Sequence, residues 1–159
     1  EMKKWLLTAL ISLISLPSYA EQFKNIKNSE IHYSAFNSTL ITAEVATQYQ
    51  LKRNGHSAIL NISVLDNSKL GKPAVDATIT GTAKNLIGQI KTLEFKQIKE
   101  GQAIYYLAQF SISDEESLTF NINVDAGMTG SGPITFTQKF YVEDKLVLKL
   151  LSPEALLMP

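Results

Sequence analysis

The sequence predicts an all-β domain: an immunoglobulin-like antiparallel β-sandwich of about seven strands with one short helix. Three observations carry this. Apolar residues recur at every second position through most of the chain after residue 30, the period of a half-buried strand. Clusters of Gly, Pro, Asn, Asp and Ser separate these runs at hairpin-like spacing. Only one segment carries helix start signals, and it is short.

The first run places Ile31, Tyr33 and Ala35 opposite His32, Ser34 and Phe36. Thr42 then stands where an N-cap belongs, with Glu44 in the first turn, so a helix is expected from there to about Tyr49. Asn54-Gly55 is a turn signal. Ala58, Leu60, Ile62 and Val64 form the second strand, and Asn67 to Pro73 a loop. Val75, Ala77, Ile79, Gly81 and Ala83 alternate with Asp76, Thr78, Thr80, Thr82 and Lys84, the cleanest alternation in the chain. One strand is expected from Leu93 and Phe95 to about Lys99. The Glu100-Gly101 pair then reads as a tight hairpin. Ala103 to Ile112 is apolar on both faces, which predicts a central strand covered on both sides. Ser113 to Ser117 is a charged loop whose acids, Asp114 to Glu116, are expected to stay solvated. Leu118 to Val124 and Ile134 to Val142 complete the strands, separated by the loop Gly127 to Pro133. Two packed sheets satisfy this pattern, each with one face inward. A helix laid on a curved antiparallel sheet is the alternative fold, and it asks for a longer helix than Thr42 to Tyr49.

The two ends read differently. Lys3 and Lys4 precede an apolar run from Trp5 to Leu16, then Pro17 and Ser18-Tyr19-Ala20. This is the pattern of a signal peptide over residues 1–20, with the mature chain starting at Glu21. The apolar run is shorter than the ~20 residues that span a membrane. A β-sandwich domain over 21–143 follows. Residues 144–159 are an apolar tail, rich in Leu, with three readings open: an eighth strand or docked arm, a non-native or frame-altered end, or a membrane- or partner-contacting segment.

Fifteen Lys and Arg balance fifteen Asp and Glu, so no basic excess points to nucleic acid. With no cysteine there is no disulfide, thiolate nucleophile or cysteine-ligated zinc. Two histidines, His32 and His56, are widely spaced, and no metal site or cofactor is expected. His56 belongs to a turn, and no orienting acid is assigned to His32. No G-x-S-x-G elbow is present, and Ser131 between two glycines reads as a flexible loop. Catalytic residues are therefore expected to be none.

Two segments carry a resemblance. His32 to Thr39 (HYSAFNST) with the helix after it is one, and Gly81 to Gln89 (GTAKNLIGQ) is the other. Ala103 to Leu118 (AIYYLAQFSISDEESL) adds to them. Together they resemble a family of small exported proteins of Gram-negative bacteria, the domain of unknown function 4426. The resemblance spans roughly Phe23 to Glu143. It implies a periplasmic β-sandwich of unassigned function and brings no catalytic residues with it. Where the family usually has Asn, this chain has Ser34, and relatives tend to end soon after a segment like Phe136 to Glu143.

The two segments are rich in small polar residues. They make Ser34, Asn37, Ser38, Thr39, Thr82 and Asn85 the candidate binding residues, if the segments meet on one surface. Turn chemistry explains the same residues, with Asn37 and Asn85 in tight backbone positions, Gly81 admitting a close neighbour and Gly88 ending a strand connection. The expected function is a non-catalytic periplasmic binding or accessory module whose partner is a periplasmic or envelope protein. A carrier of a small apolar ligand between the sheets is one alternative. An enzyme using His32, Asn37 and Asn85 is the other.

Overall fold

In a computed structural model that describes residues 22–143, the period of two becomes nine strands and one helix. In chain order they are β1 (Gln22–Ile26), β2 (Ser29–Asn37), α1 (Ala43–Gln48), β3 (Ser57–Asp66), β4 (Thr78–Asn85), β5 (Ile90–Leu93), β6 (Lys96–Glu100), β7 (Ala103–Ser111), β8 (Glu116–Asp125) and β9 (Ser131–Phe140). Two antiparallel sheets result, one ordered β1-β2-β3-β7-β6 and the other β5-β4-β8-β9. The leader-like segment 1–20 and the tail 144–159 lie outside the described residues. No helix among the described residues is long and apolar enough to cross a membrane.

The strand count exceeds the sequence estimate for two reasons. Strand β1 is exposed along almost its whole length, so it lacks an apolar face to announce it; its ladder to β2 holds it, helped by Ile26 against the core and Lys24 Nζ donating to the Pro133 carbonyl. The run from Leu93 to Lys99 is not one strand. Strand β5 pairs with β4 in one sheet and β6 with β7 in the other, so the chain changes sheets at Glu94-Phe95. Strand β7 lies between β3 and β6, one place from the sheet edge rather than at its centre.

The two sheets face each other across the residues the alternation singled out. Leu60, Ile62 and Val64 of β3 meet Leu118, Phe120, Ile122 and Val124 of β8, all fully or almost fully buried. Aromatic rings fill the middle: Phe120 stacks on Phe136 at 4.6 Å, and Phe110 stands edge-on to Phe120 and Phe140 at 5.4 and 5.5 Å. Such offset and edge-to-face pairs suit the ring quadrupoles. Gly81 lies against β8, where a Cβ would run into Ile122 and the Asn121 carbonyl. Thus the space between the sheets is a filled core.

The five-stranded sheet is also covered on its other face. Ile59 is fully buried although it points away from the sandwich core, and Ile98 and Ala46 are buried with it, outside the main cluster. The cover is the segment that contains α1. Thr42 Oγ1 accepts from the Val45 N–H, as the N-cap reading required. The helix ends at Tyr49, and Gln50 takes a positive φ of 57°, which turns the chain back so that the Leu51 N–H meets the Ala46 carbonyl. Lys96 Nζ to the Tyr49 carbonyl, and Gln109 to both backbone groups of Lys52, fasten this segment to the sheet. Six helical residues suffice as a lid because the sheet, not the helix, supplies most of the apolar surface.

Candidate functional site

Asn37, Ser38 and Thr39 lie where β2 ends. Ser38 is buried, and its hydroxyl donates to the Asn54 carbonyl, accepts from the Asn54 N–H and shares a 2.7 Å hydrogen bond with Ser57 Oγ. Asn37 Nδ2 donates to the Tyr141 carbonyl at 2.9 Å and to Glu143 Oε1 at 3.0 Å. Thr39 Oγ1 donates to the same carboxylate oxygen at 2.8 Å. The Glu143 N–H reaches back to the Gly55 carbonyl, and Gly55 lies so close that a Cβ would overlap the Glu143 backbone. These three candidates spend their hydrogen bonds internally, on joining the loop before β3 to the segment after β9.

Asn85 ends β4. Its N–H donates to the Gln89 carbonyl, its Oδ1 accepts from the Gln89 N–H at 2.8 Å, and its Nδ2 donates to Gln89 Oε1 at 2.8 Å. Gly88, at φ 87°, completes the turn. Asn85 Nδ2 also reaches Glu116 Oε2, whose other oxygen takes Lys91 Nζ at 3.0 Å. Glu116 is therefore not a solvated loop acid: it opens β8, with its side chain 11% exposed. Burial pushes its pKa up, but hydrogen bonds from Lys91, Asn85 and the Ser113 N–H outweigh that and hold it below the ordinary glutamate value. Between Asn85 and Gly88, Leu86 and Ile87 stand 86% and 81% exposed.

The strand registers put both groups at one end of the sandwich. Asn37 pairs with Ala58 at the start of β3, and Glu116 at the start of β8 pairs with Phe140 at the end of β9. Yet no hydrogen bond links Asn37, Ser38 or Thr39 to Thr82 or Asn85. Thr82 lies on the polar outer face of the four-stranded sheet, between Thr92 and Asn121. Ser34 is exposed on the outer face of the five-stranded sheet, opposite Asn61. The six candidates thus do not converge on one pocket.

His56 is exposed in its turn. His32 does have an orienting acid: Nε2 meets Glu30 Oε1 at 2.8 Å, two residues back on the same face of the strand. The other oxygen of Glu30 pairs with Lys72 Nζ at 2.9 Å. Hydrogen bonds from Lys72 and then His32 hold this carboxyl below its usual range. The Phe23 ring stacks on the imidazole at 5.5 Å, so the cluster ties β1, β2 and the loop after β3 together.

A pocket of about 170 Å³ opens between α1 and the outer face of the five-stranded sheet. Phe36, Tyr49, Tyr105, Ile59 and Leu107 form its walls, and Asn61 and Glu100 are the polar residues on it. Burial first, and then the Glu100 carboxylate, push the Tyr49 hydroxyl above its ordinary pKa. Asn61 Oδ1 is buried there with no hydrogen-bond partner among the described residues.

The model of a family described as a domain of unknown function, DUF4426, matches residues 23–143. The chain belongs to the DUF4426 family. No curated protein matches its sequence. Its structure is similar to the crystal structure of a DUF4426 family protein from Pseudomonas aeruginosa PAO1, at 33% identity and a TM-score of 0.70, covering 80% of this chain and 99% of that one. It is also similar to FetP of uropathogenic Escherichia coli strain F11. A copper-bound FetP variant aligns at 15% identity and a TM-score of 0.54 over 78% of this chain and 97% of that one. The as-isolated protein, expressed recombinantly in the periplasm, aligns at 14% and 0.52, over 79% of this chain and 96% of that one. At these identities the FetP likeness shows a shared fold. Among the described residues of this DUF4426 chain, no three His, Cys, Asp or Glu side chains gather as a metal cluster.

Several residues of this DUF4426 chain escaped sequence reasoning. Leu86 and Ile87 had a signal, an apolar pair inside an Asn-to-Gly turn. Asn61 had a weaker one: apolar Ile59 lies on the register that should be polar, so that face is covered and a polar neighbour there lacks water. Glu143 and Gln89 had none, because their roles depend on partners that only folding brings close.

Proposed function

We propose that this DUF4426 chain is a non-catalytic binding module of the bacterial periplasm, engaging a protein of the envelope through the loops at one end of its sandwich. The observation that carries the reading is the hairpin Asn85–Gln89. Two large apolar side chains, Leu86 and Ile87, face water on a turn locked by Asn85. Exposed apolar surface is costly in an exported protein unless something covers it. A locked turn also loses little entropy when it docks. Leu40, Ile90 and Tyr141 are also exposed, each at or beside a strand end on this end of the sandwich. The leader pattern of residues 1–20 supports the location. Asn37, Ser38, Thr39 and Asn85 support a non-catalytic role, since their hydrogen bonds are spent on holding loops, and Glu30 is shared between His32 and Lys72.

Site-specific photocrosslinking in the periplasm tests this. A probe at Ile87 is expected to yield one defined adduct, and a probe at Lys69, in the loop at the other end, none. Adding Asn85→Ala should weaken the Ile87 adduct by loosening the turn. Equal labelling from both positions would remove the reading.

A further inference from the structure

We infer that the pocket beneath α1 is a binding site for a small, largely apolar molecule carrying one hydroxyl group, of the size and chemistry of a phenol. This site is separate from the hairpin end and does not depend on it. Three features set its ligand. Its volume, about 170 Å³, suits a single ring; apolar cavities of about 150 Å³ hold one benzene molecule. Its walls are aromatic and aliphatic, with Phe36, Tyr105 and Tyr49 positioned to contact a ring and Ile59, Ile98 and Leu107 beneath it. Its polar fixture is the Asn61 carboxamide, whose buried oxygen has no donor among the described residues. A buried acceptor left unpaired is disfavoured relative to one that is paired. A ligand hydroxyl satisfies it, and satisfies the amide in either orientation, because a hydroxyl both donates and accepts.

The position of the pocket adds to this. It is not the filled space between the sheets, where a ligand would have to displace Phe120 and Phe136. Its roof is the short helix and the turn at Gln50, joined to the sheet mainly by exposed hydrogen bonds from Lys96 and Gln109. Such a roof can open locally without unfolding the sandwich.

The test uses the full chain with 13C-labelled Ile and Leu methyl groups, titrated with phenol and with toluene as the isostere lacking the hydroxyl. Saturable shifts are expected at Ile59, Ile98 and Leu107, with intermolecular NOEs from the phenol ring to the Ile98 and Leu107 methyls. Phenol should bind about tenfold tighter than toluene, the worth of one good hydrogen bond. In Asn61→Leu that preference should vanish while toluene binding persists. No saturable shift in the parent protein, or NOEs that map instead to Leu86 and Ile87, would overturn the assignment. So would a phenol preference unchanged in Asn61→Leu. If that variant does not fold, the phenol NOEs and the phenol-to-toluene ratio in the parent decide alone.

Discussion

Asn85 and Gln89 exchange three hydrogen bonds, two through the backbone of Gln89 and one between the side chains. The Asn85 side chain makes two of them and also reaches Glu116. Asn85→Ala should therefore lower stability by about 1–2 kcal/mol, the range for losing partners of buried polar groups. Chemical denaturation measures it. Amide exchange at Ile87 and Gly88 should also quicken more than global destabilisation accounts for. An unchanged denaturation midpoint would mean that the turn holds its shape without the side chain.

Ile79 and Thr80 are neighbours with opposite environments, one packed between the sheets and the other exposed. Ile79→Asp places a carboxylate in the core beside Val124 with no cation to meet it, and should cost about 3–5 kcal/mol. Thr80→Asp should stay within about 1 kcal/mol. Comparable losses of melting temperature in the two variants would contradict the register of β4.

That register was legible because inner faces alternate cleanly: Ile79, Leu60 and Phe120 all sit where period two placed them. The helix was legible from Thr42 and Glu44. What stayed hidden has physical reasons. Strand β1 gains its place largely from backbone pairing, which leaves no mark on side-chain polarity. The change of sheet at Glu94-Phe95 keeps the alternation nearly intact, so two strands look like one. The candidate residues were readable as turn chemistry, and that reading describes Asn85 and Gly88 well. The pocket beneath α1 was not readable, since it needs Phe36, Asn61 and Tyr105 brought together from three strands.

Acid should act through the paired carboxylates. Glu116 has a folded pKa below its ordinary value of 4.5, so the folded state holds its proton more weakly than the unfolded state does. Its contribution is then fully present above about pH 5 and lost as the pH falls through the folded value. Glu30, Asp66 and Asp125 shift in the same direction and add to the fall. Glu116→Gln should lower the melting temperature at pH 7. The gap from the parent should narrow between about pH 5 and pH 3, because the parent then loses what the variant already lacks. A gap that widens with acid would reverse the sign assigned to Glu116.

Asn61→Leu should stabilise the protein. Most buried polar side chains lose stability when made apolar, because a hydrogen-bond partner is orphaned. Here the oxygen is itself the orphan, so its removal abandons nothing. Leu has nearly the same shape and extends the apolar wall already formed by Ile59, Leu107 and Tyr105. It also suits a strand position whose neighbours across the sheet are Ser34 and Leu107. The gain expected is about 1 kcal/mol, at the low end of the penalty for an unpaired buried group, since part of the residue meets solvent. Asn123→Leu, on the exposed face of the other sheet, is the control and should change stability by less than about 0.5 kcal/mol. Urea denaturation of both, with slopes unchanged from the parent, separates a true stability gain from a change in the unfolded state. A loss of 1 kcal/mol or more in Asn61→Leu would show that the carboxamide has a partner in solution, and that the pocket's polar fixture is already satisfied.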